Sequence, residues 1–303
     1  MLIDELVAFC DKKYTELGNS CGNGGCSHPR GSCSGGCYNC LFEVHYPSIH
    51  PNGKREYDCP KMLYHYVCQY SYLYATEMFC AFTAERDFLM DFPYFNIISL
   101  GCGACPDLMA FEEFYENRGC HQGVSYIGFD KTEEWSIIHN RILDYCKTKC
   151  LDFRTECVDV LEWLKGYRLS NANVIVLGYL ISYIFDMVSA SDMEDFITNI
   201  ARRIVSFKQK DQKLLLIVND LNTYKRGRDY MAKFCSAIRE QAGIASVKEK
   251  KYYFDTGDLY GGQKIGNPHS FSKWPFVPPE DIRAKYHACT SVQKTIQYIL
   301  EVQ

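Results

Sequence analysis

Residues 96–103 read Asn96-Ile97-Ile98-Ser99-Leu100-Gly101-Cys102-Gly103, an apolar strand running into a glycine turn, and Ala104-Cys105-Pro106-Asp107 then opens a helix. Glycines let backbone N–H groups approach a ligand closely, and a helix N-terminus adds partial positive charge. One helix later a second strand ends Tyr126-Ile127-Gly128-Phe129-Asp130. An acid at that position can accept both hydroxyls of a ribose. A third strand ends Glu156-Cys157-Val158-Asp159-Val160, where Asp159 could accept the exocyclic amine of a purine. A fourth ends at Gly178-Tyr179-Leu180, on the carboxyl edge where ligands of open α/β sheets bind. The plain structural alternative is a tight turn with Asp130 as a helix N-cap. The strand–turn–helix–strand order is the context that favours a ligand.

A second group of reactive residues precedes this. Five of the chain's 17 cysteines fall within twenty residues, spaced Cys21-x4-Cys26-x6-Cys33-x3-Cys37-x2-Cys40, with His28, His45, His50 and Cys59 nearby. Four thiolates, or three and an imidazole, close a tetrahedral zinc site. The spacing Cys33-x3-Cys37-x2-Cys40 also fits an iron–sulfur cluster. Such a site would order residues 18–53, which are rich in Gly, Cys, Ser, Asn and Pro and carry neither helical nor strand period. The alternative is a set of unliganded reduced thiols, prone to oxidation at this density. Cys68, Cys80, Cys146 and Cys235 sit singly in apolar segments and read as small buried hydrophobes.

The elements that must position these residues follow from the apolar pattern. Residues 4–17 form a short amphipathic helix, and 60–86 a long one with Pro60 in its first turn and five tyrosines, Tyr64, Tyr66, Tyr70, Tyr72 and Tyr74. From residue 96, strand-like runs (96–100, 125–129, 153–158, 174–179, 214–218, 247–254 and 295–302) alternate with helical segments at 105–117, 133–149, 160–166, 192–207 and 226–242. That alternation gives a mainly parallel sheet covered on both faces. The segment 256–280 reads as loop, so the last two strands form an antiparallel pair at one edge.

Composition bounds the rest. The 303 residues are 47% hydrophobic and 23% charged, which excludes a disordered chain. No apolar run spans a bilayer, and the acidic start is neither a secretory nor a transit signal, so a cytoplasmic location without membrane attachment is expected. The net charge of −4 argues against a general polyanion binder. Residues 200–252 nevertheless hold 13 Lys/Arg against 5 Asp/Glu, a local excess that could face RNA or another anionic substrate. The alternative is a solvated basic helix and strand edge.

With these residues in view, the chain resembles the class I S-adenosylmethionine-dependent methyltransferases over residues 96–302. The resemblance rests on Leu100-Gly101-Cys102-Gly103, Asp130, Asp159 and the strand order. It implies an α/β fold with a seven-stranded, mainly parallel sheet and helices on both faces, spanning 96–303, preceded by a cysteine-rich metal-binding and helical cap region over 1–95. It implies that Gly101 and Gly103 flank the methionine part of S-adenosyl-L-methionine, with Leu100 and Cys102 also among the cofactor-binding residues. Asp130 would then hold the ribose, Asp159 and Val160 the adenine, and Gly178 would stand at the cleft edge. The family usually has an acid two residues before the first glycine, where this chain has Ser99; Asp107 is the nearby acid that could compensate. A dinucleotide, the ligand of nicotinamide-dependent oxidoreductases, wants a third glycine where Cys105 stands.

The acceptor side is weakly marked. No Asn/Asp-Pro-Pro-Tyr/Phe motif follows the fourth strand, and no Pro-Cys pair ends the fourth or fifth. Tyr179, Ser182, Asn219 and Asp220 are the catalytic candidates, because they close those two strands. Methyl transfer asks mainly for in-line positioning and at most one base. The readings carried forward are a methyltransferase with RNA, protein or small-molecule acceptor, and a non-catalytic RNA-binding or assembly protein that keeps the fold and a metal site. An extra helix before the first strand is expected to lie over the cleft, with Tyr57, Tyr70 or Tyr74 lining it.

Overall fold

The computed structural model describes residues 1–18, 36–45, 56–160, 162–163, 172–208, 212–223, 227–243, 246–254, 263–269, 274–289 and 295–303. Eight strands form one sheet: β1 (Phe95–Leu100), β2 (Val124–Asp130), β3 (Asp152–Cys157), β4 (Val174–Gly178), β5 (Leu214–Leu221), β6 (Val247–Phe254), β7 (Asn267–His269) and β8 (Thr295–Val302). Their order is β3-β2-β1-β4-β5-β8-β6-β7. The first five are mutually parallel, with Ile98 paired to Ile127 on one side and Ile175 on the other. β8 runs antiparallel to β5 and to β6, pairing Ile217 with Ile299 and Lys250 with Ile299.

The expected seven strands are therefore eight. The additional one, β7, arises in the segment read as loop and pairs parallel to β6 through Tyr252–Phe254. Only three residues long and carrying Pro268, it has no period to detect. A proline, which cannot donate to a ladder, is tolerated at such an edge.

Side-chain alternation sorts the core into two layers. Ile97, Val174, Val176, Leu215, Ile217 and Ile299 face one side, while Ile98, Leu100, Ile175, Leu177, Leu214, Leu216 and Val218 face the other. The first face is covered by α1 (Leu2–Glu16), α3 (Pro60–Ala84), α5 (Pro106–Arg118) and α6 (Ser136–Thr148). The second is covered by α7 (Leu180–Met187), α8 (Ala190–Phe207) and α9 (Gly227–Ala242). Two further short helices are α4 (Arg86–Met90) and α10 (Glu280–Tyr286), and α10 also joins the first layer through Ile282 and Tyr286. The described helices α1 and α3, which precede β1, thus share the core of the sheet. Leu2, Ile3, Leu6 and Val7 pack in the same cluster as Ile97 and Phe111, and α3 lies along α5.

Four helices were not legible as such: α4, α7, α10 and one in the cysteine-rich segment. α2 (Gly36–His45) falls where no period was read. Its buried face is Cys37, Cys40, Leu41 and Val44, an i, i+3, i+4, i+7 stripe that emerges only when the cysteines count as hydrophobes. α7 starts abruptly at Tyr179, whose φ of 56° places a non-glycine residue in the left-handed region. Of the helix expected over 160–166, Val160, Glu162 and Trp163 are helical and 164–166 lie outside the described residues. Among the described residues, no helix is long and apolar enough to cross a membrane.

Candidate functional site

At the carboxyl edge of β1, β2, β3 and β4 lies a cavity of about 330 Å³. Its floor is the glycine turn. Gly101 and Gly103 both adopt left-handed conformations, with φ of 70° and 47°. A side chain on Gly101 would press on Leu180 Cδ1 at 3.2 Å. The turn is tied to β2: the amides of Gly101 and Cys102 donate to the Phe129 carbonyl at 2.8 and 3.0 Å. The Gly103 amide donates to Asp130 Oδ2 at 2.9 Å, and the Thr132 amide to Oδ1 at 3.0 Å. Asp130 is therefore fixed rather than free to rotate, and each oxygen retains a second lone pair for a ligand hydroxyl. Burial raises its pKa, against the opposing backbone hydrogen bonds from Thr132 and Gly103.

Of the residues expected to bind cofactor, Gly101, Gly103, Asp130, Asp159, Val160 and Gly178 line this cavity. Leu100, Cys102 and Asp107 do not. Leu100 and Cys102 are buried in opposite core layers. Asp107 is turned into the protein, where it accepts from the Tyr126 hydroxyl at 3.1 and 3.2 Å, and burial pushes its pKa up to about 7. Ser99 is buried too, so neither residue offers an acid to the cavity.

Much of the remaining lining is aromatic: Tyr57, Tyr66, Trp135, Tyr179 and Tyr183. Trp135 makes ring contacts with Tyr57 and Tyr66 at centroid distances of 5.8 and 5.4 Å, and would lie 3.8 Å from a Cβ on Gly103. Tyr57 and Tyr66 come from α3 and the turn before it, so residues preceding the first strand do cover the cleft. Tyr70 and Tyr74 stand one layer back, stacked on each other at 5.5 Å, and Tyr74 touches Tyr179 at 4.8 Å. Lys131 is held by Glu56 at 3.0 Å and lies over the Tyr183 ring.

The four catalytic candidates separate in space. Tyr179 lines the cavity, whereas Ser182, Asn219 and Asp220 are buried behind it. Asp220 Oδ2 accepts from the Ser182 amide at 3.0 Å and Oδ1 from the Leu221 amide at 2.7 Å, so this carboxylate organises the start of α7. Burial pushes its pKa up to about 6. The Tyr179 hydroxyl points at Glu77, 2.9 and 2.8 Å from its two carboxylate oxygens, and lies 2.9 Å from Thr295 Oγ1. Thr295 Oγ1 and Asn219 Nδ2 also donate to Glu77, at 2.7 and 2.8 Å. Gln297 Nε2 donates to the Glu77 carbonyl at 2.8 Å and to Asn219 Oδ1 at 2.9 Å.

Glu77 was not singled out in the sequence. Its only signal is an acid in the otherwise uncharged run Tyr74–Cys80 of α3. Burial pushes its pKa up to about 7, against hydrogen bonds from Asn219, Thr295 and Tyr179.

The fold is similar to that of a solved methyltransferase. A Listeria monocytogenes protein assigned as a class I S-adenosylmethionine-dependent methyltransferase is 10% identical, with a TM-score of 0.50 over 99% of this chain and 88% of that one. The plantazolicin methyltransferase BpumL in complex with SAH matches at 10% identity and TM-score 0.42, over 97% and 99%. An S-adenosylmethionine-dependent methyltransferase from Clostridium acetobutylicum matches at 10% and 0.36, over 88% and 99%. The fold is that of the class I methyltransferases, with eight strands. No family model and no curated protein matches the sequence.

Of the proposed metal ligands, Cys37 and Cys40 are buried on α2, and Cys21, Cys26 and Cys33 lie outside the described residues. In the basic stretch 200–252, Lys213 pairs with Asp91, Lys233 with Glu194, Arg239 and Lys251 with Glu249, Lys248 with Glu301, and Lys250 with both Glu85 and Glu301. Asp91, Glu194, Glu85 and Glu301, from outside the stretch, thus offset part of the local excess, whereas Glu249 belongs to the stretch.

Proposed function

We propose that the chain is an S-adenosyl-L-methionine-dependent methyltransferase. The observation that carries this reading is the convergence, in one cavity at the carboxyl edge, of the glycine turn, Asp130 and Asp159. The cavity suits the cofactor's donor set: a carboxylate fixed by two backbone amides for the ribose hydroxyls, a second acid for the adenine amine, and a turn whose Gly101 and Gly103 hold left-handed conformations that favour glycine. When bound, S-adenosylmethionine supplies a sulfonium-activated methyl group. The residues around it orient it and exclude water. Leu180, Val160 and Phe129 provide the apolar surface for a flat base, and Trp135 and Tyr66 an aromatic wall beside the turn.

An aromatic-walled cavity supports a small or planar acceptor group ahead of an extended RNA backbone. RNA remains a partner reading only through residues 200–252, where the salt bridges to acids elsewhere weaken the field that would attract it. The second reading is a non-catalytic binding protein that keeps the fold, favoured by one observation: neither Ser99 nor Asp107 offers an acid to the cavity. Calorimetry with S-adenosylmethionine and with NAD, followed by transfer of a labelled methyl group to cell-extract fractions, separates the readings. Cofactor binding with no labelled product in any fraction would favour the second.

The cysteine-rich segment enters the proposal as a structural zinc site using four of Cys21, Cys26, Cys33, Cys37 and Cys40, with an iron–sulfur cluster as the alternative. Elemental analysis of anaerobically purified protein distinguishes them. Iron with acid-labile sulfide would replace zinc, and neither metal would remove the site.

A further inference from the structure

Cys102, Cys105 and His139 do not line the cavity; they meet within the turn that supports it. One donor atom from each lies within 4.8 Å of the other two, and Cys102 Sγ is 3.9 Å from His139 Nε2. All three are buried.

Each is held there by a separate feature of the chain. Gly128, in β2, makes room for the first sulfur: a Cβ at that position would lie 2.7 Å from Cys102 Sγ and 3.1 Å from its Cβ. Cys105 occupies the left-handed region, with φ of 56°, where a glycine would be at ease. Pro106 then starts α5 and fixes the backbone beyond it. His139 comes from α6, one helix and one strand later, and its Nε2 lies 2.7 Å from the Gly103 carbonyl. Three small polar groups packed for bulk alone would not require a strained backbone at one of them and a missing side chain beside another.

We propose that Cys102, Cys105 and His139 form a metal site for one thiophilic d10 cation. Two thiolates and an imidazole are soft donors that select Cu(I) or Zn²⁺ over the hard cations. Three protein donors suffice for Cu(I), whereas zinc in structural sites takes four. Cu(I) is therefore the better match.

On binding, both sulfurs ligate as thiolates and His139 as a neutral imidazole, so the proton of Cys102 and the one shared by Cys105 and His139 leave to solvent as the metal–ligand bonds form. Ligation through Nε2 places the ring proton on Nδ1 and frees the Gly103 carbonyl. Occupancy would thus reach a residue of the cofactor cavity, and metal and S-adenosylmethionine affinities should be linked, a coupling that rests on the cofactor reading above.

The test uses full-length protein, reduced and stripped of metal under anaerobic conditions. Cu(I) and, separately, Zn²⁺ are titrated in competition with a chromophoric chelator. Wild type is compared with Cys105→Gly and with His139→Gln. Glycine accepts the backbone conformation of Cys105, so that variant should fold, and the N-terminal cysteines are common to all three proteins and cancel.

The expected result is one equivalent of Cu(I) lost, or its affinity reduced roughly 100-fold or more, in Cys105→Gly; loss of an outer-shell partner alone costs 10–100-fold. A lost equivalent of Zn²⁺ supports the site and changes the ion. Unchanged equivalents and affinities for both ions in Cys105→Gly and His139→Gln would overturn it. Calorimetry with S-adenosylmethionine on the same samples keeps the two ideas apart. Metal lost with Cys105→Gly while wild type binds no cofactor would retain the metal site and discard the methyltransferase reading.

Discussion

The Tyr179 hydroxyl lies 2.8 Å from Glu77 Oε2, joining the wall of the cavity to a carboxylate 102 residues away on the helix that covers the sheet. This contact holds Tyr179 in its left-handed conformation at the start of α7, together with the bond from its amide to the Asn219 carbonyl at 2.7 Å. Strain of this kind persists where the surroundings over-determine it.

Glu77→Gln should make stability less sensitive to pH. Burial raises the Glu77 pKa from 4.5 to about 7 in the folded protein. Between those values the folded state keeps a proton that the unfolded state has lost, so the wild type loses stability as pH rises. The magnitude is at most about 3 kcal/mol. Glutamine has no such proton, so its melting temperature should gain on wild type between pH 4.5 and pH 7. His269 titrates in both proteins and cancels in the difference, whereas Asp220, whose charge helps to raise the Glu77 pKa, adds a smaller change of the same sign. Parallel melting-temperature profiles for the two proteins across that range would contradict the assignment.

Gly128→Ala should destabilise the metal-free protein by about 1–3 kcal/mol through overpacking against Cys102. Adding Cys102→Ala removes the sulfur the new methyl group meets and should recover part of the loss, although Thr155 Cγ2 at 3.2 Å keeps the site tight. Chemical denaturation of the two single variants and the double variant measures this coupling. Additive losses would mean that the Gly128 position is not what seats the Cys102 sulfur.

Leu6→Ala should cost about 2–5 kcal/mol and lower the midpoint of the whole molecule. Leu6 is fully buried in the layer that also contains Ile97, Phe111 and Ile217. Deleting residues 1–90 should for the same reason expose one face of the sheet and leave an insoluble or unfolded chain. Unfolding in two steps, with the second unaffected by Leu6→Ala, would show that the N-terminal helices fold apart from the sheet.

Local features were legible and distant ones were not. The strand running into Gly101 and Gly103, and the acids closing the next two strands, are contiguous in sequence, and each announces its position by its neighbours. The parallel order follows from strand–helix alternation. Glu77 and Tyr179 meet only after α3 has been laid across β4, β5 and β8, and no spacing foretells that. Thr295 and Gln297, at alternate positions of β8, face Glu77 on α3, so part of one side of a central strand is polar and buried before Ile299 returns that side to the apolar layer. The helix over Cys37 and Cys40 was hidden for a different reason: cysteine serves equally as a ligand and as an apolar side chain. Asp107 shows the same ambiguity for an acid, since its place beside the turn suited a ligand but its carboxylate faces Tyr126.

The central claim is tested most directly by calorimetric titration of S-adenosylmethionine into wild type and Asp130→Asn. The account predicts saturable binding to wild type at one site, with no comparable heat from NAD. Asp130→Asn should bind roughly 10–100-fold more weakly while keeping its fold, the loss expected when hydrogen bonds to a charged acceptor are replaced by neutral ones. Equal affinity in the two proteins would remove Asp130 from the ribose site, and absence of binding to folded wild type would contradict the account itself.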